Sequence, residues 1–482
     1  MTQTPTSKDG CVWRATTGLR KGLPSKAVHS SSANLHEEYD VIVIGAGFTG
    51  LTAARDLYPH AKTLLIDARD RIGGRTWTSN LDGQEFEMGG MWVHWWQTFM
   101  WGELVKYELH KNITTASGTT VPEKVYSRNK NVLEVNEEEG FDERLDQLIA
   151  KFFDIDGLSL RDIVDHPYDT FHKREIFQKY DKMTSQERID ALDIEDTDKI
   201  FLATFISNFG LTTADQIGFA EACKWFSLTG TTSMNIKDTM GLYKLGNGGM
   251  TSLANAIFDE YEGDRIFNSP VKRVTQTASC ATVETEAGVA FKAKYVICTI
   301  PLNVLKDVEF SPPFSPLRAE ACAVGHPGRG GKILYTITPP EPPFMSSSTL
   351  PTDLSFLFTT HENTAGDSGY LVSFVHTDSK IRDFSDADAV KAAFRAMVPE
   401  TCKSEIKEYI YHDWRNDPYA QGTWCCFEAN YSTRYLEELQ SKHGERVIMA
   451  SSDYADGWRG CIDGAIEQGI RSAMTVKKLI KF

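Results

Sequence analysis

Tyr39-Asp40-Val41-Ile42-Val43-Ile44-Gly45-Ala46-Gly47-Phe48-Thr49-Gly50, near the front of the chain, joins an apolar, β-branched run to a glycine-punctuated turn. The run has strand length and no polar alternation, as in a parallel strand covered on both faces. Helix formers follow from Leu51 to Leu57, and Thr63-Leu64-Leu65-Ile66-Asp67 is a second apolar run. The order is β-α-β within about thirty residues. In that context Gly-x-Gly-x-x-Gly reads as a dinucleotide fingerprint. Gly45 permits the tight turn, and Gly47 lets backbone N–H groups of the loop, which includes Ala46 and Thr49, approach a pyrophosphate. Gly50 allows close helix packing, and the helix N-terminus favours the negative charge. Asp67, ending the second strand, is placed to accept from ribose hydroxyls.

Directly after Asp67 comes Ala68-Arg69-Asp70-Arg71-Ile72-Gly73-Gly74-Arg75, a second glycine turn flanked by arginines. Its guanidinium groups are suited to donate to phosphate and isoalloxazine edges. An NAD site does not need this second loop.

The 482 residues carry 51 basic and 66 acidic side chains, a net charge of −15, with 41% hydrophobic and 24% charged residues. That is globular composition, enough for about two to three compact units. An acidic chain without a basic stripe argues against nucleic acid and against anionic membranes. No window of about 18 apolar residues is present, so a soluble protein is expected. Residues 1–37 are Ser-, Thr-, Lys- and Gly-rich, and read as a flexible N-terminal arm rather than a secretory signal. Nine cysteines without Cys-x-x-Cys spacing fit reduced thiols and disfavour structural zinc. The last residues, Ile480-Lys481-Phe482, are no Ser-Lys-Leu address, and the expected location is the cytoplasm. His94 and His326 have no companion ligands at metal spacing, so no metal is expected.

From about 96 to 245 the chain turns acidic and helix-favouring, with a Thr184-x-x-Glu187 capping box, and reads as a helical insertion. Strand signals return at 264–274, 281–290 and 295–300. Residues 306–439 hold alternating strands such as Ile333–Ile337 and Tyr370–Val375, plus a helix near Asp386–Met397. Arg446–Ala450 and a helix from Gly464 form a last β-α unit.

The two loops resemble those of the FAD-dependent amine oxidase superfamily, and the chain looks closest to its soluble fungal flavin monoamine oxidases. Phe86-Glu87-Met88-Gly89-Gly90-Met91-Trp92-Val93-His94 resembles the family's glycine loop near the flavin, and Ser269-Pro270-Val271 its adenine-side strand. Cys298 to Leu305 is similar to its mid-chain return. Ser451-Ser452-Asp453 through Gly457 to Ile466 is similar to its C-terminal flavin helix. The resemblance implies an α/β fold with a discontinuous Rossmann-like FAD-binding domain (38–95, 246–305 and 440–482). A substrate domain would comprise a mainly helical insertion, 96–245, and a sheet-bearing part, 306–439. It implies oxidation of a primary or secondary amine to an imine, then an aldehyde or ketone, with O2 reduced to H2O2. The partners implied are a small-molecule amine and O2. The helical insertion is equally suited to a lid or an interface, leaving a homo-oligomer open.

By family position, Lys332 would hold a water near the flavin and assist oxygen reduction. The bland alternative is a strand-end lysine reaching solvent. Thr423 stands where covalent members carry cysteine, so FAD is expected to be non-covalent, with Cys425 and Cys426 out of register. Trp424 corresponds to one wall of an aromatic cage, and the facing position is Cys461, which offers no ring. A space-filling role for that thiol competes with a redox one. Trp414 matches a tryptophan beside the flavin, or is plain core. Gly89, Gly90, Met91, Trp92, Val271, Asp453, Ile462 and Ala465 complete the implied FAD contacts, Asp453 toward the ribityl or phosphate region. The last helix would aim its N-terminal dipole at the flavin. The aromatic run Trp92, His94, Trp95, Trp96, Phe99 and Trp101 is either channel or core. Arg459 is a candidate carboxylate clamp, should the substrate be an amino acid. Two alternatives stay open: a biosynthetic FAD enzyme that desaturates or cyclises a nitrogen-containing metabolite, and a non-catalytic FAD-binding regulatory protein.

Overall fold

The computed structural model describes residues 4–115, 124–129, 132–135, 141–348, 353–360 and 367–480. Among these, strands gather into two large sheets. The eight-stranded sheet runs in the order Asp264–Ile266, Thr63–Ile66, Glu38–Ile44, Ala290–Cys298, Ala281–Thr285, Val271–Gln276 and Glu309–Ser311, with Val447–Met449 paired to Ala290–Cys298. Glu38–Ile44 is parallel to both neighbours, with Ile44 opposite Ile66 and Cys298. Val41, Ile42 and Val43 are fully buried, as a two-sided apolar run requires. Helix Phe48–Leu57 crosses over and packs against the last helix, Ile462–Ile480. This is the Rossmann-like arrangement expected, drawn from widely separated stretches of chain. Gly50 lies where a Cβ would stand 1.8 Å from the Gly45 carbonyl oxygen, so no other residue fits there.

The nine-stranded sheet runs Gly18–Pro24, Thr6–Arg14, Glu405–His412, Gly331–Thr338, Gly369–Val375, Phe356–Thr359, Phe344–Ser348, Lys124–Asn129 and Val132–Val135. The N-terminal arm is thereby corrected. Residues 6–24 form an antiparallel hairpin whose first strand pairs with Glu405–His412. Val12 and Leu23 are buried, and Trp13 stacks on Tyr409 at 5.2 Å. Its lysines and serines conceal the pattern because the covering strand lies far off in sequence.

Residues 141–242 are chiefly helical, with Thr184 and Glu187 forming the reciprocal cap expected. These helices bury a core of Phe152, Phe177, Phe219 and Phe226, among others. Helix Ala387–Ala396 is capped by Asp386 through two backbone amides.

Candidate active site

The two sheets and the helical layer enclose one long cleft of about 530 Å³. At one end its wall is the carboxyl edge of the parallel sheet. Gly45, Gly47 and Thr49 line it from the first loop, and Asp67, Ala68, Arg69, Gly73, Gly74 and Arg75 from the second. Gly47 bridges to Gly73, and a Cβ on Gly74 would lie 3.1 Å from the Gly47 Cα, so the two loops touch through bare backbone. No side chain caps the N-terminus of helix Phe48–Leu57, which leaves its first amides for an anion. This is a cradle suited to a dinucleotide pyrophosphate.

Asp67 accepts from the Ala46 amide at 2.6 Å and the Arg69 amide at 2.7 Å, which leaves it further acceptor capacity toward the cleft. Val271, Gly89, Gly90, Met91, Trp92, Trp414, Ile462 and Ala465 line the cleft. The Trp414 indole donates to the Met88 carbonyl at 2.9 Å. Ala46 and Gly50 are buried behind the lining of the cleft.

Three expectations change. Arg69 lines the cleft, but its guanidinium is spent on Asp417 at 2.5 Å and Asp9 at 2.8 Å. Asp453 is fully buried behind the wall, where it accepts from Arg75 at 2.7 Å and from the Leu302 amide at 2.9 Å. It reaches the cleft through Arg75, which also donates to the Thr423 carbonyl, and through the Ser452 hydroxyl. Arg459 is no clamp, because it is buried against Glu221 at 2.6 Å. Sequence displays the charges but not the acids that face them after folding.

Lys332 is the second residue of strand Gly331–Thr338 and is 4% exposed, against the solvent-reaching reading. Its Nζ donates to the Gly89 carbonyl and approaches the Met91 sulfur, both at 3.0 Å. Burial pulls its pKa well below the ordinary lysine value, Glu87 opposes that pull, and Lys244 adds to it. Glu87, buried nearby, is pushed up by the same desolvation while it accepts from the Met250 amide at 2.7 Å. Glu87 and Lys244 are functional candidates the sequence reading passed over, although Glu87 stands inside the quoted glycine loop.

Trp424 donates to the Phe209 carbonyl and meets Phe374 edge-on at 6.0 Å. Cys461 shares the cleft wall with it. Burial raises the Cys461 thiol to about 12, so it is an uncharged wall atom rather than a nucleophile. Thr423 donates to the Gly328 carbonyl at 3.1 Å. Cys425 and Cys426 are buried in two different cores, away from the cleft. Of the aromatic run, Trp92 lines the cleft, His94 is buried against Asp238, and Trp95 and Trp96 are exposed. Asn208 also lines the cleft, and its buried Oδ1 has no hydrogen-bond partner among the described residues. Nothing in its helical surroundings singled it out.

A glycine cradle at the edge of a parallel sheet, opening onto a buried lysine and an aromatic wall, defines a dinucleotide-dependent redox enzyme. The chain belongs to the flavin containing amine oxidoreductase family, whose model matches residues 48–477. It is 32% identical over 447 residues to pseudooxynicotine dehydrogenase from Pseudomonas sp, covering 92% of this chain and 87% of that one. It is 28% identical over 444 residues to nicotine dehydrogenase from Pseudomonas putida, covering 92% and 89%. A solved structure of wild-type putrescine oxidase bound to putrescine shares the fold, with a TM-score of 0.74 and 20% identity over 92% of this chain and 99% of that one. The protein is thus an FAD-binding enzyme that acts on amines. Among the described residues no helix is long and apolar enough to cross a membrane.

Proposed function

We propose that this enzyme oxidises a primary or secondary aliphatic amine whose carbon skeleton carries an aromatic ring, giving an imine that hydrolyses to a carbonyl compound, with O2 reduced to H2O2. One observation carries the reading: among the described residues, the cleft around buried Lys332 is aromatic and free of carboxylates on its helical and nine-stranded sides. Phe205, Phe209, Phe356, Phe358, Phe374 and Trp424 line it there. Such a wall stacks on a flat ring and desolvates a neutral amine. Among the described residues it offers no carboxylate to the second ammonium of a polyamine, and Arg459 is not free to hold a carboxylate. Nicotine and pseudooxynicotine, in the names of the two relatives, each pair a pyridine ring with an aliphatic amine.

Bound FAD supplies the two-electron acceptor for the carbon–nitrogen bond. In the reading advanced here, Gly45, Gly47, Thr49, Asp67, Gly74 and Arg75 hold it, with Trp414 beside its ring. It is held without a covalent bond, since Thr423 has no sulfur and both neighbouring thiols face away. Lys332, its pKa lowered by burial to about 7, takes and returns protons at Nζ as oxygen is reduced. Trp424 orients the substrate ring, Cys461 leaves room for a bulky one, and Asn208 supplies a hydrogen bond to a substrate heteroatom. The FAD-binding unit is assembled from 38–95, 246–305 and 440–482. The nine free cysteines support a reducing, cytoplasmic setting.

The test is anaerobic bleaching of the purified holoenzyme against aliphatic, aryl-alkyl, poly- and amino-acid-type amines. Rapid loss of the yellow absorbance with aryl-alkyl amines, followed by H2O2 on admission of air, supports the reading. Bleaching by polyamines alone, or by none of the panel, overturns it, and the latter outcome favours the biosynthetic alternative.

A further inference from the structure

We propose that Asp9, on the N-terminal hairpin, is a positioning residue for the cofactor. It clamps the 68–75 loop from outside the cleft and slows the departure of FAD.

Three consecutive hairpin residues engage three consecutive loop residues. Ser7 donates to Asp70 through its hydroxyl at 2.8 Å, and Lys8 donates to the other Asp70 oxygen through its amide at 2.8 Å. Asp9 accepts from Arg69 and from Arg71, each at 2.8 Å through the same oxygen. None of the three hairpin residues lines the cleft, whereas Arg69, Gly73 and Gly74 do. The hairpin therefore acts on the cofactor site from outside the cleft, through the residues it holds.

The route inward is short. Arg71 is fully buried, lies over the Trp77 ring at 4.6 Å, and donates to the Gly74 carbonyl at 2.8 Å. Gly74 is the residue that rests on Gly47 in the cradle. Asp9, Arg71, Gly74 and Gly47 thus form one line from the hairpin to the backbone that faces the pyrophosphate. On the other flank, Asp417 takes Arg69 at 2.5 Å and His412 at 2.7 Å, and His412 accepts from the Gly10 amide at 3.2 Å. Hairpin, loop and the 412–417 turn close into a ring.

Charge makes the clamp directional. Among the described residues, Asp9 is the only carboxylate within ion-pair distance of Arg71. Burial works to raise the Asp9 carboxyl, but Arg71 and then Arg69 outweigh it and hold it below the ordinary carboxylate range. Without Asp9 a buried guanidinium would face the loop unpaired, a state relieved only by moving the loop. Asp9, His412 and Asp417 lie within 4.8 Å of one another, but two guanidinium groups already supply the cations there.

The experiment measures FAD release from holoenzyme after large dilution, read as recovery of free-flavin fluorescence, alongside melting temperatures with and without added FAD. Asp9→Asn should release FAD at least tenfold faster and lose most of the FAD-induced rise in melting temperature. Asp9→Glu should recover part of both, and Lys21→Ala, on the exposed second strand, should match wild type. If Asp9→Asn does not fold, Ser7→Ala, which removes one neutral hydrogen bond, should still release FAD severalfold faster. Wild-type release from a folded variant, or a lower melting temperature that is equal with and without FAD, would show the hairpin to be scaffolding alone and overturn the proposal.

Discussion

Arg459 and Glu221 meet at 2.6 Å with neither side chain exposed, tying the turn before the last helix to helix Phe219–Thr229. Close by, Lys224 is buried and donates to the Gly457 carbonyl at 2.6 Å. Two charges taken out of water stabilise only while both remain. Arg459→Met should therefore cost about 3–5 kcal/mol in denaturant unfolding. Arg459→Met combined with Glu221→Met should recover most of that loss. A double variant as weak as the single one would refute the pairing argument.

The charge state of Lys332 governs a second outcome. Lys332→Met should lower turnover roughly 100-fold, the lower end of the range for a lost proton-transfer group. Stopped-flow traces should place the loss in the oxygen reaction and leave anaerobic reduction by substrate little changed. An equal loss in both half-reactions would assign Lys332 to substrate binding instead.

At Cys461 the wall of the cleft is small and uncharged. Cys461→Tyr adds a ring beside Trp424, so KM for the bulkiest accepted amine should rise by about tenfold or more, the 1.4 kcal/mol that modest overpacking costs. A small benzylic amine should be affected less. Matching KM changes for the two would remove Cys461 from any role in size selection.

His326 is buried, and neither ring nitrogen has a hydrogen-bond partner among the described residues. Burial, assisted by Arg75 and opposed by Asp453, pushes its pKa down to about 4 from the usual 6.5. Between those values the unfolded chain binds a proton that the folded one refuses, so stability falls as pH drops from about 6.5 to about 4. The loss is on the order of 3 kcal/mol. Unfolding free energies across this window should slope for wild type and flatten by that amount in His326→Asn. An unchanged slope would mean that the ring is protonated in the fold.

The strand, turn and helix around Gly45–Gly50 were legible in sequence because the apolar run, the glycine spacing and the helix formers that mark them are contiguous in the chain. The buried lysine of 331–338 and the tryptophan at 424 were legible from motif resemblance. What escaped depended on distant partners. Arg69 and Arg459 read as free cations because Asp9, Asp417 and Glu221 come to them only through the tertiary fold. Asp453 read as a cofactor contact because sequence gives no depth, and it lies one arginine behind the wall. The hairpin at 6–24 read as a loose arm because its covering strand is made near the other end of the chain.

That separation has a consequence for biosynthesis. Gly10 and the His412 ring that accepts its amide are 402 residues apart. At about 5–20 residues per second on the ribosome, the first strand waits about 20–80 s for its neighbour. Throughout that interval it offers an open edge to any other chain. Nascent or truncated products ending before residue 405 carry the same naked edge, so the stretch from residue 405 onward protects a hairpin made about 400 residues earlier.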